Sequence, residues 1–554
     1  MSISDISNVF SLLGGLGMFL YGMNLMADGL QKTAGDKLRQ FLGMLTNNRL
    51  LGVLLGTAIT AIIQSSSATT VMVVGFVNAG ILNLTQAVGV IMGANIGTTV
   101  TAWIVSMSQL GSVFEVTKPS FFSPLLIGIG AMIVLFAKKD RTRTAGEILI
   151  GFGLLFIGLD FMSGAMKPYT SSPLFSNIFA TLGKNPLLGL LAGAVVTGII
   201  QSSSASVGIL QTLAMSGAVT TNSAIFITLG QNIGTCVTAL ISSTGSTRIA
   251  KRAAVIHLLF NVIGAVIFGI GFFVIFMLKP DFANSTINAV QISIFHTIFN
   301  LTNTLILFPF ANQLVQLSGV IVRGKDEAVT VDEAEIALKH LDERIFESPV
   351  FAVETVSMEV VRMGQITLKN VQLAIDALLT GNMDEIQGVY KTEQTINNME
   401  KILTEYLIKV DNLSLSEKQK KIVTNLFYSI SDIERVGDHA ENLAEQAEYK
   451  HNHNLEFSET GISDLKEISG SVIKAFTYAI DARQFGNMDS VRKVSQYEDE
   501  VDNLEEEMRE KHIERLSAGE CEPSSGVVFL DVLSNLERIS DHAYNLAGYV
   551  KDEI

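Results

Sequence analysis

Two stretches of the chain repeat a cluster of polar side chains at a fixed distance. Gln64-Ser65-Ser66-Ser67-Ala68-Thr69 recurs as Gln201-Ser202-Ser203-Ser204-Ala205-Ser206, and Gly93-Ala94-Asn95-Ile96-Gly97-Thr98 recurs as Gly230-Gln231-Asn232-Ile233-Gly234-Thr235. The offset is 137 for both, and 31 positions separate Gln64 from Asn95 as they do Gln201 from Asn232. A helix broken at such a cluster begins its second half with free N–H groups and a partial positive charge, which suits an anion. Serine hydroxyls add donors. Carbonyls freed at the end of the first half, with hydroxyl and amide oxygens, suit a small hard cation such as Na⁺. Two breaks brought tip to tip make one anion site flanked by cation sites. The plainer role of Ser, Thr and Gln is interhelical glue in a membrane bundle. Two copies at equal spacing, each followed by Asn-Ile-Gly-Thr, favour the transport site.

The elements that must hold these clusters are apolar. Residues 1–319 contain 15 Lys/Arg and 8 Asp/Glu, whereas residues 320–554 contain 24 and 46, so the formal charges are +7 and −22. Runs such as Phe121–Ala137, Ile148–Met166, Ala253–Leu278 and Ile292–Leu317 are near or above bilayer-spanning length. The start of the chain lacks the basic region of a cleavable signal. Spans are expected at about 8–30, 85–107, 121–137, 147–166, 221–243, 252–278 and 290–318, with broken hairpins at 50–80 and 186–217. If the hairpins re-enter, thirteen Lys/Arg fall on one side and only Lys118, Lys167, Lys184 and Lys279 on the other. The basic side is then cytosolic, the N-terminus outside and the acidic C-terminal part cytosolic. The two copies start on opposite sides, so the repeats are inverted, as in secondary transporters. Hairpins that cross twice give the same parity; re-entry is favoured because irregular backbone at that depth must line a cavity or be buried in protein. Apart from Arg252, at the first position of its span, no Lys or Arg lies within the expected spans, so a bound anion draws its countercharge from co-bound cations.

Asp160 sits within the 147–166 span, where a carboxylate is costly unless used. Two readings are open for it: a cation ligand or proton carrier, or a residue paired with a hydroxyl or nearer the interface. His257 and His296 each precede an Asn by four positions; a hydrogen bond across the helix turn is favoured over proton carriage.

The paired Gln-Ser-Ser-Ser and Gly-x-Asn-Ile-Gly-Thr motifs, with His257-Leu258-Leu259-Phe260-Asn261 and His296-Thr297-Ile298-Phe299-Asn300, resemble the type II sodium–phosphate cotransporter family over residues 8–318. The resemblance implies inverted repeats, tip-to-tip re-entrant hairpins, and phosphate with Na⁺ near the serine clusters. The substrate-binding candidates are Gln64, Ser65, Ser66, Ser67, Gln201, Ser202, Ser203 and Ser204. Thr69, Asn95, Thr98, Asn232, Thr235 and Asp160 are cation-binding or supporting candidates.

The C-terminal part has apolar residues at helical spacing, such as Val353, Val356, Val360 and Met363, or Leu426, Ile430 and Ile433. It contains its own duplication: Asp432-Ile433-Glu434-Arg435-Val436-Gly437-Asp438-His439 recurs as Asn535-Leu536-Glu537-Arg538-Ile539-Ser540-Asp541-His542. Glu434 with Asp438, and Glu537 with Asp541, share a helix face and could gather a hard cation. A solvated, salt-bridged face is the alternative. These motifs resemble the PhoU family, a tandem pair of three-helix bundles. That resemblance implies acidic metal patches at Glu434, Asp438, Glu537 and Asp541, open to divalent or iron ions, with Glu393, Glu400, Glu498, Asp499 and Asp502 on other acidic helices.

The fold expected is all-α: a polytopic membrane domain over 1–318 (repeat 1 at about 8–137, repeat 2 at about 147–243, extra spans over 252–318), a linker over 319–345, and a PhoU-like helical bundle over 346–554. The function expected is a sodium-coupled phosphate transporter of the cell membrane with a regulatory cytosolic domain. A phosphate sensor or adaptor, or a carrier of another oxyanion, is the alternative. The partners expected are phosphate, Na⁺, the bilayer, a second copy of the chain and a cytosolic regulator. The acidic second part argues against nucleic acid, and no nucleophile or acid–base pair marks an enzyme.

Overall fold

The computed structural model describes residues 3–43, 48–110, 119–169, 173–324 and 340–554. All named elements among them are helical; a single isolated bridge pairs Thr220 with Thr286. The chain divides into two compact units, Met1–Ala328 with Asp342–Phe351, and Val329–Leu341 with Ala352–Ile554. Each is described by itself.

The first unit runs α1 (Ile3–Gly43), α2 (Arg49–Ile63), α3 (Ser66–Asn78), α4 (Leu84–Gly97), α5 (Thr99–Leu110), α6 (Pro119–Phe136), α7 (Asp140–Met166), α8 (Pro173–Lys184), α9 (Pro186–Ile200), α10 (Ser203–Met215), α11 (Thr221–Ser242), α12 (Arg248–Leu278), α13 (Pro280–Asn284), α14 (Ala289–Leu307) and α15 (Ala311–Ile321). Among the described residues, six helical stretches are long and apolar enough to cross a bilayer: Ser4–Ala34, Leu84–Gln109, Asp140–Tyr169, Thr221–Ser242, Arg248–Leu278 and Ala289–Ile321. Phe121–Phe136, expected as a seventh span, is apolar but shorter.

The repeated sequence packs against itself. A Cβ added to Gly15 would lie 2.8 Å from the Gly158 carbonyl, and one added to Gly22 would lie 2.6 Å from that of Gly151. Gly15 and Gly22 are the sequence counterparts of Gly151 and Gly158, so α1 and α7 pair antiparallel, each through its own copy of the same glycine pattern. Small residues allow this approach, which stands in for the hydrophobic drive that lipid removes. Met23, Met26, Leu155, Phe156 and Leu159 fill the seam beside the glycines. The second motif pair works the same way. A Cβ on Gly93 would collide with the Val53 carbonyl of α2, and one on Gly230 with the Leu190 carbonyl of α9.

Six long helices make up most of the second unit: Pro349–Thr380 (whose first residues belong to the first unit), Met383–Asp411, Glu417–Asn452, Glu459–Phe485, Met488–Ser517 and Pro523–Glu553. They form two sets of three. In each set the turn between the first two helices carries a glycine in the left-handed region, Gly381 at φ 71° and Gly486 at φ 60°. The apolar residues read at helical spacing, from Val353 to Met363 and from Leu426 to Ile433, are all buried.

The sequence reading divides residues 342–351 between a linker and the start of the bundle, but they pack with the first unit. Ile345 and Phe351 are 0% and 1% exposed there. Helix α15 also carries the first unit on to Ile321, beyond the start expected for the linker.

Candidate functional site

Both serine clusters break their helices in the same way. Helix α2 ends on Gln64 at φ 59°, and α9 ends on Gln201 at φ 56°, both left-handed. The next residue is extended and caps the second half-helix: the Ser65 hydroxyl accepts from the Ala68 amide, and the Ser202 hydroxyl from that of Ala205. A bond between the half-helices ties each break together, Thr60 Oγ1 to Thr69 Oγ1 at 3.0 Å and Thr197 Oγ1 to Ser206 Oγ at 2.7 Å. Non-glycine residues rarely adopt such backbone, so two occurrences at equivalent positions mark a built feature.

The breaks meet. Ser66 Oγ lies 3.2 Å from Ser203 Oγ, its own repeat counterpart, and Ser204 Oγ donates to the Gln64 carbonyl at 3.3 Å. Beside this contact is a cavity of about 280 Å³, lined by Gln64, Ser65, Ser202, Ser203 and Ser204, and by Asn24, Asp28, Gln31 and Glu347. The N-termini of α3 and α10 therefore reach one polar space. Ser66, Ser67 and Gln201 are not among its lining residues. Ser67 Oγ is buried without a partner.

The supporting candidates other than Asp160 are buried and mostly bond to their own helices. Asn95 and Asn232 donate to the carbonyls of Ile91 and Thr228, both at 2.8 Å, and Thr98 and Thr235 donate to those of Ala94 and Gln231. Asn232 Oδ1 also faces His296 Nε2 at 3.3 Å. The expected His-to-Asn bond across a turn is present, but through the backbone: Asn261 donates to the His257 carbonyl and Asn300 to the His296 carbonyl. Asp160 is on the exposed face of α7 and does not line the cavity.

Sequence reasoning missed Thr101, whose hydroxyl donates to Gln64 Oε1 at 3.0 Å. Its repeat counterpart, Thr238, has a buried hydroxyl without a partner, while Gln201 is exposed. The two clusters thus share a backbone but not an environment. The missed Asn24, Asp28 and Gln31 are four and three residues apart, a polar stripe on an apolar helix that a helical wheel of α1 would have exposed.

In the second unit the duplicated motif makes two kinds of contact. Its histidines cross over: His439 Nδ1 lies 2.8 Å from Asn535 Oδ1, and His542 Nδ1 lies 2.8 Å from Asp432 Oδ1. The two rings stack at 5.6 Å. Away from the rings, Asp541 of the motif meets two acidic residues of the Met488–Ser517 helix. One oxygen from each of Glu498, Asp502 and Asp541 falls within 4.8 Å of the others. Burial, then Asp541, raises the carboxyl of neighbouring Glu537. In the other half, burial and then Asp438 push Glu393 up to about 8, and burial with Asp438 and Glu400 raises Glu434. Both Glu393 carboxylate oxygens are buried without a partner.

The Na⁺/Pi-cotransporter family model matches residues 18–164 and 168–294, and the PhoU domain model matches 360–447 and 465–550. The chain belongs to the Na⁺/Pi-cotransporter family and carries a C-terminal PhoU region. It is similar to the "Putative inorganic phosphate export protein YjbB" of Escherichia coli (strain K12), at 26% identity over 98% of this chain and 97% of that protein. It also resembles the "Sodium-dependent phosphate transport protein 2B" of Homo sapiens, at 36% identity over 20% of this chain and 16% of that one. The crystal structure of PhoU from Pseudomonas aeruginosa aligns with a TM-score of 0.35 and 26% identity, over 36% of this chain and 96% of that one. The family is one of transporters rather than enzymes, and with its apolar helices the chain is a multi-pass membrane protein.

Proposed function

We propose that the chain is a Na⁺-coupled carrier of inorganic phosphate, with phosphate held where the two Gln-Ser-Ser-Ser breaks meet. The observation that carries this reading is the Ser66–Ser203 contact beside a polar cavity reached by two helix N-termini. Hydroxyls and free amides supply donors, while the helix ends supply partial positive charge. No Lys or Arg lines the cavity among the described residues. Na⁺ ions held by nearby oxygens offset the anion's charge, so binding of each favours the other. The antiparallel pairing of α1 with α7 supports inverted repeats that re-enter from opposite faces. The basic loops support an outside N-terminus and a cytosolic C-terminal region.

Asp28, Gln31, Asn24 and Glu347 set acceptors beside the hydroxyl and amide donors of the site. Phosphate and arsenate retain an O–H near neutral pH and can donate to them; sulfate cannot. A site that hydrogen-bonds a substrate hydroxyl rejects an analogue lacking it by up to about 10⁴-fold. Arsenate should therefore compete with labelled phosphate at similar concentrations, and sulfate should fail even at about 100-fold excess. Equal competition by sulfate would show a general oxyanion carrier.

The acidic clusters of the second unit suit a regulatory cation site. Unpartnered buried oxygens on Glu393, beside Glu434 and Asp438, fit a hard divalent cation, as do Glu498, Asp502, Glu537 and Asp541. Mn²⁺ at about 100 times its Kd would stabilise the chelator-treated full chain by about 2.7 kcal/mol. Thermal unfolding with and without Mn²⁺ measures this. The shift should shrink in Asp438→Asn and in Asp541→Asn; an unchanged shift in both would place the ion elsewhere.

A further inference from the structure

We propose that residues Asp342–Phe351 form an inhibitory clasp on the transport unit, holding α3 to the end of α11 and setting the Glu347 carboxylate at the rim of the phosphate cavity. The inference rests on the phosphate-carrier reading for its substrate, but its geometry stands alone. The segment comes from the stretch joining the two units in sequence, yet it is built into the first. Asp342 Oδ2 accepts from Asn78 Nδ2, at the end of α3, at 2.8 Å. Arg344 pairs with Asp342 and donates through Nη1 to the Ser242 carbonyl, at the end of α11, at 2.9 Å. Ile345 lies against α3 at Gly75, where an added Cβ would come within 3.4 Å of its Cγ1. Phe351 meets Phe76 of α3 edge-on at 5.8 Å. Asn78 also accepts from the Thr247 amide, just before α12, at 2.8 Å.

These contacts fasten α3, the second arm of the first broken pair, to α11, which belongs to the other repeat. A carrier built from two repeats works by moving one against the other, so a strap across both holds it in one arrangement. Glu347 lines the cavity while remaining exposed, with the Gln64 and Ser202–Ser204 side of the site beyond it. Desolvation by the surrounding atoms raises its carboxyl above the ordinary range, although the side chain keeps access to solvent. A carboxylate there repels an approaching anion. Asp342 and Arg344 satisfy each other and the helix ends, so the clasp leaves without stranding a charge in an apolar place. The segment is continuous in sequence with residue 352, where the PhoU unit resumes.

The test uses the full chain with Cys521→Ser, in proteoliposomes. Cross-linking Asn78→Cys to Asp342→Cys should lower phosphate flux about tenfold, with recovery on reduction, and Ile345→Asp should raise flux severalfold. Equal flux from the cross-linked and reduced protein would overturn the clasp, whether or not Ile345→Asp folds. A second readout does not depend on transport. Ala68→Cys, on the cavity wall, should react about tenfold faster with an anionic thiol reagent when Arg344→Ala is added. Faster labelling in a chain that moves no phosphate would sustain the clasp and sink the carrier reading. Unchanged labelling would overturn the clasp.

Discussion

Gln64→Ala is expected to cut phosphate flux between about 5- and 150-fold while leaving the protein folded. The side chain is 5% exposed and accepts from Thr101 beside the cavity. Removing it strands a buried hydroxyl, at about 1–3 kcal/mol, and each 1.4 kcal/mol is roughly tenfold in an equilibrium or rate. Ala also enters a left-handed position at φ 59°, so the backbone contributes to the loss. Gln64→Gly separates the two effects, because glycine accepts that backbone without strain. Flux lost in both variants assigns the role to the amide. Flux restored by Gly assigns it to the turn.

The largest stability effect is expected at Glu553. Its carboxylate forms a two-pronged pair with Arg483, one prong at 2.7 Å from Nη1 to Oε1, and the side chains are only 4% and 8% exposed. The pair joins the ends of the Glu459–Phe485 and Pro523–Glu553 helices, where the guanidinium also faces helix C-termini. Glu553→Gln leaves a buried guanidinium without its counterion, a loss of about 3–5 kcal/mol. For a domain of this size that lowers Tm by roughly 10 °C. Arg483→Met with Glu553→Leu should recover most of it, since burying two charges costs nearly what their attraction returns. A double variant as unstable as the single would show that the loss comes from packing.

The repeated spacing made much of the site legible. One offset of 137 predicts that Ser66 and Ser203 are equivalent, and they meet; Thr60–Thr69 and Thr197–Ser206 reproduce one bond twice. What the offset cannot encode is conformation. Gln64 is buried against Thr101 while Gln201 is exposed, although both open the same Gln-Ser-Ser-Ser-Ala run. The residues packed around the two breaks differ, and a local motif does not record its surroundings. The segment around Glu347 escaped for another reason. Its charged neighbours read as solvated linker, and Ile345 and Phe351 are too few to reveal a periodic buried face. His439 and His542 were hidden by their company, since the acidic residues around them pointed to metals while the rings serve the contact between the two halves.

Coupled phosphate movement through the paired serine breaks requires both serine clusters and a Na⁺ gradient. The direct measurement is labelled-phosphate flux in proteoliposomes, driven by a Na⁺ gradient and then by an equal K⁺ gradient, with Ser66→Ala/Ser203→Ala beside the unaltered chain. Flux that requires Na⁺ and is lost in the double variant is the predicted result. Equal flux in Na⁺ and K⁺, or full flux in the double variant, would contradict it.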